Sequence, residues 1–502
     1  MEHLFLPPNH LLTYGSNYLR MNPFCLPKAV SRKIFPLLVA LLAAWPPVLQ
    51  AQSDTSATAY VHIDTILIEG NRRTKRSLLL REMDFAIGDS IPLAGLAARL
   101  EWNKLRLLNL ELLTVADLNV AEWRPGNHLV LRLRLTETWF LLPVPLFELA
   151  DRNFNVWWKE FGGSLRRVNY GIDLTHNNLT GNADALKAKA QFGYNNRFEV
   201  SYRLPPLNHQ QTLRLHGAVS YSRMHEVAVT TQGSTLQFRR DPDAWQIQQF
   251  LAYTVLAWRP KLYVSHHFSL EYRDSRASDS VAVIFNPDFF LRSRTRQRHA
   301  SVMYNFTADH RDIRPYPLNG WLTVVDFRHN GLLPTDNLWL TRLFAEYSRY
   351  TSFGKKWSVE TALKGRTSLP RRKPPYFNNQ ALGYFGNFVR GYEYYVADGL
   401  DFGILKTSVH FEVMNREIGI GKWMPFKAFK VLPLKIYLAF NNDLGYANDP
   451  HYAANSPLSN RLLYGYGWGL DLVAWYNKTI RLEYSRTDLG QGGFYININA
   501  GF

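Results

Sequence analysis

The sequence predicts a small α+β domain followed by a transmembrane antiparallel β-barrel of about sixteen strands. Three observations lead there. Aromatic residues make up 14% of the 502-residue chain, with 27 Tyr and 14 Trp, yet mean hydropathy is negative and no apolar run of about 18 residues is present to cross a bilayer as a helix. From Phe161 to the end, apolar and polar residues alternate at period two, so that only every second residue would meet lipid. The connections between these alternating segments are by turns short and long, as barrels of this kind require.

The first segment reads as a secretory signal peptide over residues 1–51. Arg32-Lys33 precede the apolar run Ile34 to Trp45, and a small-residue cleavage site follows at Ala51, the charge-then-apolar order of an exported chain. Met21 offers a second start codon that would leave a signal of normal length. Cys25, the only cysteine, falls inside this segment, so the mature chain is expected to have neither disulfides nor thiol chemistry. A linker over 52–59 follows.

Tyr60 to Asn71 alternates as a strand ended by Gly70-Asn71. Thr74 is placed to cap a helix carrying Leu78, Leu79 and Met83, and a second apolar-periodic helix runs from about Leu93 to Leu108. Two more strands are expected, Leu112 to Val120 and His128 to Thr138, joined by the turn Pro125-Gly126-Asn127. About eighty residues in the order strand, helix, helix, strand, strand can hold one small core. Residues 139–160 read as a connection to the barrel at 161–502.

Barrel strands are expected near 164–175, 183–193, 196–204, 211–223, 227–239, 245–258, 261–273, 295–308, 320–330, 338–350, 355–369, 402–414, 432–442, 463–475, 478–486 and 493–502. Trp258 to Lys261, Thr351 to Lys356 and Tyr476 to Lys478 fall on the short side. His176 to Asn182, Arg273 to Thr295, Pro370 to Gly399 and Leu444 to Arg461 fall on the long side, which parity places outside, with the amino-terminal domain in the periplasm. The connection from Asn415 to Val431 is the exception, long where a short one is due. The terminal strand puts Phe494, Ile496, Ile498 and Phe502 on one face, an aromatic end suited to the interfacial girdle.

The long connection 370–400 holds Gly383 to Tyr395, which joins glycines, packed aromatics and Arg390. A connection of that length is expected to have work to do, and a guanidinium fork suits carboxylates. In Phe402 to Met414 the alternation turns Lys406, Ser408, His410 and Glu412 into the lumen. In Leu432 to Asp443 it does the same for Lys435, Tyr437, Asn441 and Asp443. Glu412 and Asp443 are therefore the expected partners of Arg390 if the loop folds inward. On the next strand Gly465, Gly467 and Gly469 share the lumen side and leave room for a loop to approach the wall.

At these residues the chain resembles a known family. Val389-Arg390-Gly391-Tyr392 looks like its inward-loop motif. Asn441-Asn442-Asp443-Leu444-Gly445 is similar to its Phe-x-Asp-x-Gly strand motif, with Asn441 where an aromatic is usual. Asp309-His310-Arg311-Asp312 followed by Pro317 and Gly320 resembles its periplasmic turn, and Tyr60 to Thr138 looks like a single POTRA domain through Gly70-Asn71, Thr74, Arg81-Glu82 and Gly88. Together these resemble the BamA/TamA-type outer-membrane assembly and transport superfamily. The resemblance implies a bacterial outer-membrane barrel that inserts or translocates other proteins. It implies no enzymatic activity and no cofactor or metal. The implied partners are unfolded outer-membrane or secreted clients, periplasmic chaperones at the POTRA domain, and outer-membrane lipid or lipopolysaccharide. The alternatives are a dedicated secretion pore for one substrate, and a passive porin.

Other classes are disfavoured by the residues themselves. The net charge of +17 raises nucleic acid as a partner, but the basic residues are scattered through alternating strands and not gathered into one patch. No Gly-x-Ser-x-Gly elbow, His-Glu-x-x-His or Gly-rich phosphate loop is present. His266 and His267 are adjacent on a strand, so their rings point to opposite faces and cannot share a metal.

Overall fold

The computed structural model describes residues 59–499 apart from 109, 111, 209, 315, 420, 422–430 and 475–477. The expected signal peptide, nearly all of the linker, Cys25, Gly501, Phe502 and the side chain of Ile498 lie outside the described residues. The chain divides into two compact units at Thr138 and Trp139.

The first unit runs β1 (Tyr60–Glu69), α1 (Arg76–Glu82), β2 (Ser90–Pro92), α2 (Leu96–Leu108), β3 (Leu113–Arg124) and β4 (His128–Glu137). Its sheet has the order β2-β1-β4-β3. The β1 and β4 strands pair in parallel, which the two intervening helices make possible by carrying the chain back. Val61, Ile63 and Ile66 of β1 and Leu129, Leu131 and Leu133 of β4 are buried with Leu78, Leu79, Leu100 and Leu107 of the helices. Thr74 does not cap α1: the N-cap is Lys75, which makes no side-chain bond. The backbone N–H groups of Arg73 and Thr74 donate instead to the Glu137 carboxylate at the end of β4.

The second unit is a barrel-like antiparallel sheet of sixteen strands. These are β5 (Leu141–Leu149), β6 (Val168–Asn177), β7 (Ala185–Gly193), β8 (Asn195–Arg203), β9 (Leu213–Met224), β12 (Ile247–Lys261), β13 (Val264–Ala277), β14 (Arg296–Asp309), β15 (Gly320–Asn330), β16 (Leu340–Phe353), β17 (Trp357–Leu369), β20 (Asp401–Gly419), β21 (Val431–Asn448), β22 (Leu462–Ala474), β23 (Lys478–Thr487) and β24 (Gly492–Asn499). Outside that sheet lie two small ladders, β10 (Glu226–Gln232) with β11 (Thr235–Arg240), and β18 (Gln380–Leu382) with β19 (Ala397–Asp398). A short helix α3 (Phe154–Lys159) follows β5.

Two sequence expectations fail here, and they offset each other. The first strand of the sheet is β5, inside the stretch read as a connection; Pro143 and Pro145 hide it, because prolines demote a run from strand status unless it lies at an edge. The segment 227–239 is not a barrel strand. Gly233 and Ser234 both take positive φ and fold it into the β10–β11 hairpin, as a two-residue turn of that geometry does. One strand gained and one lost keep the count, but the parity changes for the strands between. The connection 178–184 therefore lies at the short-turn end, with 262–263 and 354–356, and not on the long side. The over-long connection shrinks too: β20 runs to Gly419 and β21 starts at Val431.

Candidate functional site

Within the connection from β17 to β20, the β18–β19 ladder pairs Gln380 with Asp398 and closes a loop whose tip, Gly383 to Tyr395, folds into the barrel. Val389 and Tyr392 are buried with Leu382, Phe402, Ile404, Ala447 and Leu463. Arg390 is anchored by two carboxylates on the wall. Its Nη1 donates to Asp443 Oδ1 at 2.6 Å and its backbone N–H to Asp443 Oδ2 at 3.1 Å, while its Nε donates to Glu483 Oε1 at 2.9 Å. Lys406 Nζ adds a second cation to Asp443 at 3.0 Å, so two positive groups face two negative ones. The Asp443 and Glu483 side chains are 0% and 3% exposed, which makes the pairing obligatory: a buried charge left alone costs several kcal/mol.

Of the expected partners, Asp443 meets Arg390 and Glu412 does not. Glu412 lies further along β20, where Tyr437 donates to it at 3.2 Å. The partner that sequence reasoning missed is Glu483 on β23. Its signal lay in Asn441, the residue that replaces the usual aromatic: Asn441 Nδ2 donates to Glu483 Oε1 at 2.6 Å. Asn497 Nδ2 donates to Glu483 Oε2 at 2.9 Å. An amide there holds a carboxylate that an aromatic ring could not.

The three lumen glycines serve different neighbours. A Cβ on Gly465 would lie 1.7 Å from the Arg390 carbonyl oxygen, so this glycine is where the loop backbone rests on the wall. A Cβ on Gly467 would meet Ser485 and the Tyr484 backbone, and one on Gly469 would press on Glu483 Cγ at 3.1 Å. Gly469 thus makes room for the carboxylate and not for the loop. Gly391 takes φ of +84°, a left-handed turn that suits glycine. Beside it, Tyr392 donates to Asp488. Burial pushes the Glu393 carboxyl up to about 8, and its Oε2 has no partner among the described residues.

The turn from β14 to β15 carries Asp309, Arg311, Asp312, Pro317 and Gly320. Arg311 Nε and Nη2 grip Asp309 at 2.8 and 2.9 Å, and Asp312 accepts from the Leu318 and Asn319 backbone N–H groups at 3.1 Å each. Gly320, at φ +105°, packs where a Cβ would sit 2.1 Å from the His310 carbonyl oxygen. This bracing holds out Tyr316, which reaches across the interior to β22: its hydroxyl donates to Asp471 at 2.8 Å, and its ring stacks on Tyr437 at 4.8 Å. His266 and His267 bond Tyr304 and Asn305 separately.

The connection between β5 and β6 supplies a latch that the sequence reading left as featureless. Asn153 caps α3 by accepting from the Val156 N–H at 2.9 Å, a helix-start signal that was legible. Arg152 donates to the Gly383, Tyr395 and Tyr394 carbonyl oxygens at 2.7, 3.1 and 2.9 Å, and Asn153 Nδ2 to that of Glu393 at 3.0 Å. The loop is thus held from the wall side by Arg390 and from the other by Arg152. The same helix reaches the last strand, where Asn155 Oδ1 accepts from the Ile496 N–H at 2.7 Å.

Among the described residues no ladder joins β5 to β24, the two ends of the sheet. The Asn177 N–H donates to the Phe140 carbonyl and the Ala150 N–H to the Arg167 carbonyl. Even-numbered residues of β5 therefore bond β6, and odd-numbered ones face the open edge. Pro143 and Pro145 are odd, so two successive positions on that edge lack an N–H.

A sixteen-strand antiparallel barrel with a loop ion-paired to its inner wall, preceded by a small α/β domain, is the class this geometry defines. Within it, residues 178–414 match the Omp85 superfamily domain. Among solved structures, BamA from Haemophilus ducreyi lacking POTRA domains 1–3 is similar at 12% identity, covering 87% of this chain and 84% of that one, with a TM-score of 0.61, a likeness of fold. CdiB from Acinetobacter baumannii is 14% identical over 88% of this chain and 74% of that one, with a TM-score of 0.48. CdiB from Escherichia coli is 11% identical over 92% and 95%, with a TM-score of 0.45. No curated protein matches the chain.

Proposed function

We propose that this protein is a bacterial outer-membrane barrel that inserts other proteins, working at the seam between β5 and β24, with the amino-terminal unit acting as a periplasmic POTRA domain. The observation that carries the reading is the unladdered seam, whose β5 edge lacks N–H groups at Pro143 and Pro145. Every barrel in lipid must satisfy the backbone at its closure, and strand edges left unpaired can accept a further strand. Here α3 occupies the site through Asn155, so an incoming client strand would replace a side-chain bond and not a full ladder. Arg390, Asp443 and Glu483 keep the loop and the wall beside that seam in one arrangement. The interior is crossed by the loop, anchored on Asp443, and by Tyr316, bonded to Asp471, which speaks against a passive porin.

Cysteine pairs drawn from Leu142 to Leu146 and from Phe494 to Ile496 test this, since Cys25 is the chain's only cysteine. A pair that oxidises is expected to leave a folded barrel that inserts no client until it is reduced. Full activity of the oxidised protein would refute the seam reading and favour passage through the lumen.

A further inference from the structure

The outward face of β9, β12, β13 and β14 ends in an arginine row at the loop end. Register places Arg223 opposite Gln248, Gln248 opposite Arg276 and Arg276 opposite Arg296, one row across four strands. In the next row towards the turns lie Tyr221, Phe250, Asp274 and Arg298. Four arginines thus face one aspartate. Asp274 gives both oxygens to Arg296, at 2.8 and 2.6 Å, and stands 3.7 Å from Arg276. Arg223 lies over the Trp245 ring at 4.1 Å, and Arg298 donates to the Thr335 carbonyl at 3.1 Å. Arg276 and Arg296 lie directly opposite each other and share the single Asp274 carboxylate, which leaves the pair one positive charge in excess, and the Arg276 side chain is 61% exposed. Below these rows the same face is apolar and exposed, with Val219, Leu270 and Phe268.

We infer that this face binds a phosphorylated, multiply acylated glycolipid of the outer leaflet, its phosphates on Arg276, Arg223 and Arg296 and its acyl chains along the apolar band. The assignment of the loop end to the outer leaflet rests on the outer-membrane reading above. Guanidinium groups bind phosphate through paired donors, and only an amphiphile satisfies the charged row and the apolar band together. A free phosphate would satisfy the row alone.

The full chain in detergent, titrated with bisphosphorylated lipid A and with its dephosphorylated form and read by native mass spectrometry, tests the inference. The phosphorylated lipid is expected to bind the more tightly, with inorganic phosphate failing to displace it. R223Q/R276Q, which keeps the Asp274–Arg296 pair, is expected to weaken binding roughly thirtyfold, from the usual worth of two basic side chains at an anionic surface. Heat-modifiable migration checks that the variant folds. If it does not, Gln248→Glu puts a carboxylate between both arginines without removing either and is expected to weaken binding in the same assay. Equal binding of both lipids, unchanged binding by the folded variants, or displacement by inorganic phosphate would overturn the assignment. Failure of the barrel to enter vesicles would count against the outer-membrane reading alone, because the lipid comparison is made in detergent.

Discussion

Replacing Arg390 by alanine removes the Nη1 bond to Asp443 and the Nε bond to Glu483 and leaves one cation, Lys406, facing two buried carboxylates. Asp443 keeps Lys406 at 3.0 Å, and Glu483 keeps two amides, Asn441 and Asn497, so the deficit is one unpaired charge and not two. Breaking a buried pair from one side costs about 3–5 kcal/mol. The loop can avoid that cost by leaving the wall and admitting water. Its released population is then expected to rise by roughly 10² to 10⁴. Limited proteolysis within Gly383 to Tyr395, mapped by mass spectrometry, reads this directly, and client insertion should fall with it. Arg390→Lys keeps the charge but cannot span both carboxylates, and should lie between. Arg390→Ala combined with Glu483→Gln should regain protection, because the surplus carboxylate is gone. Glu412→Gln, away from the pair, should change nothing. An Arg390→Ala protein cleaved no faster than the parent would refute the argument.

Two further predictions concern the same loop. Gly465→Ala places a Cβ 1.7 Å from the Arg390 carbonyl oxygen, so it should expose the loop to protease about as far as Arg390→Ala does; a protected loop would show that the wall can give way. Glu393 is held protonated, its carboxyl pushed by burial from 4.5 to about 8. A docked form that binds the proton more tightly than the released one is fully favoured below about pH 4.5 and loses that favour as pH rises through 8. Loop protection should therefore decline between about pH 4.5 and 8, and Glu393→Gln should remove the decline; an unchanged pH profile in that variant would count against Glu393 as its source.

Much of the barrel was legible because its signal is local. Alternation at period two turns Lys406, His410, Asn441 and Asp443 inward and Leu405, Val409 and Leu438 outward whatever their neighbours are, and the two helices and three longer strands of the first unit follow from short-range periodicity in the same way; β2 between the helices, three residues long, carries no such pattern and was missed. The edge strand β5 escaped because its prolines contradict strand propensity and are tolerated only where one side goes unpaired, a fact about position in the sheet. The β10–β11 hairpin escaped because its alternation is genuine and only the turn at Gly233-Ser234 separates it from a barrel strand. Arg390 and Asp443 could be brought together from register and a loop folded inward. Glu483 could not, since it lies 93 residues from Arg390 and reaches it only because Gly469 leaves space for its side chain. Which residues face the interior follows from the alternation alone, since side-chain direction is set by the backbone of one strand. Which of those inward charges meet, and that no ladder joins the two end strands among the described residues while Asn155 sits on the edge of one, is settled only in the folded chain, because both depend on the curvature that brings distant strands and the α3 latch together.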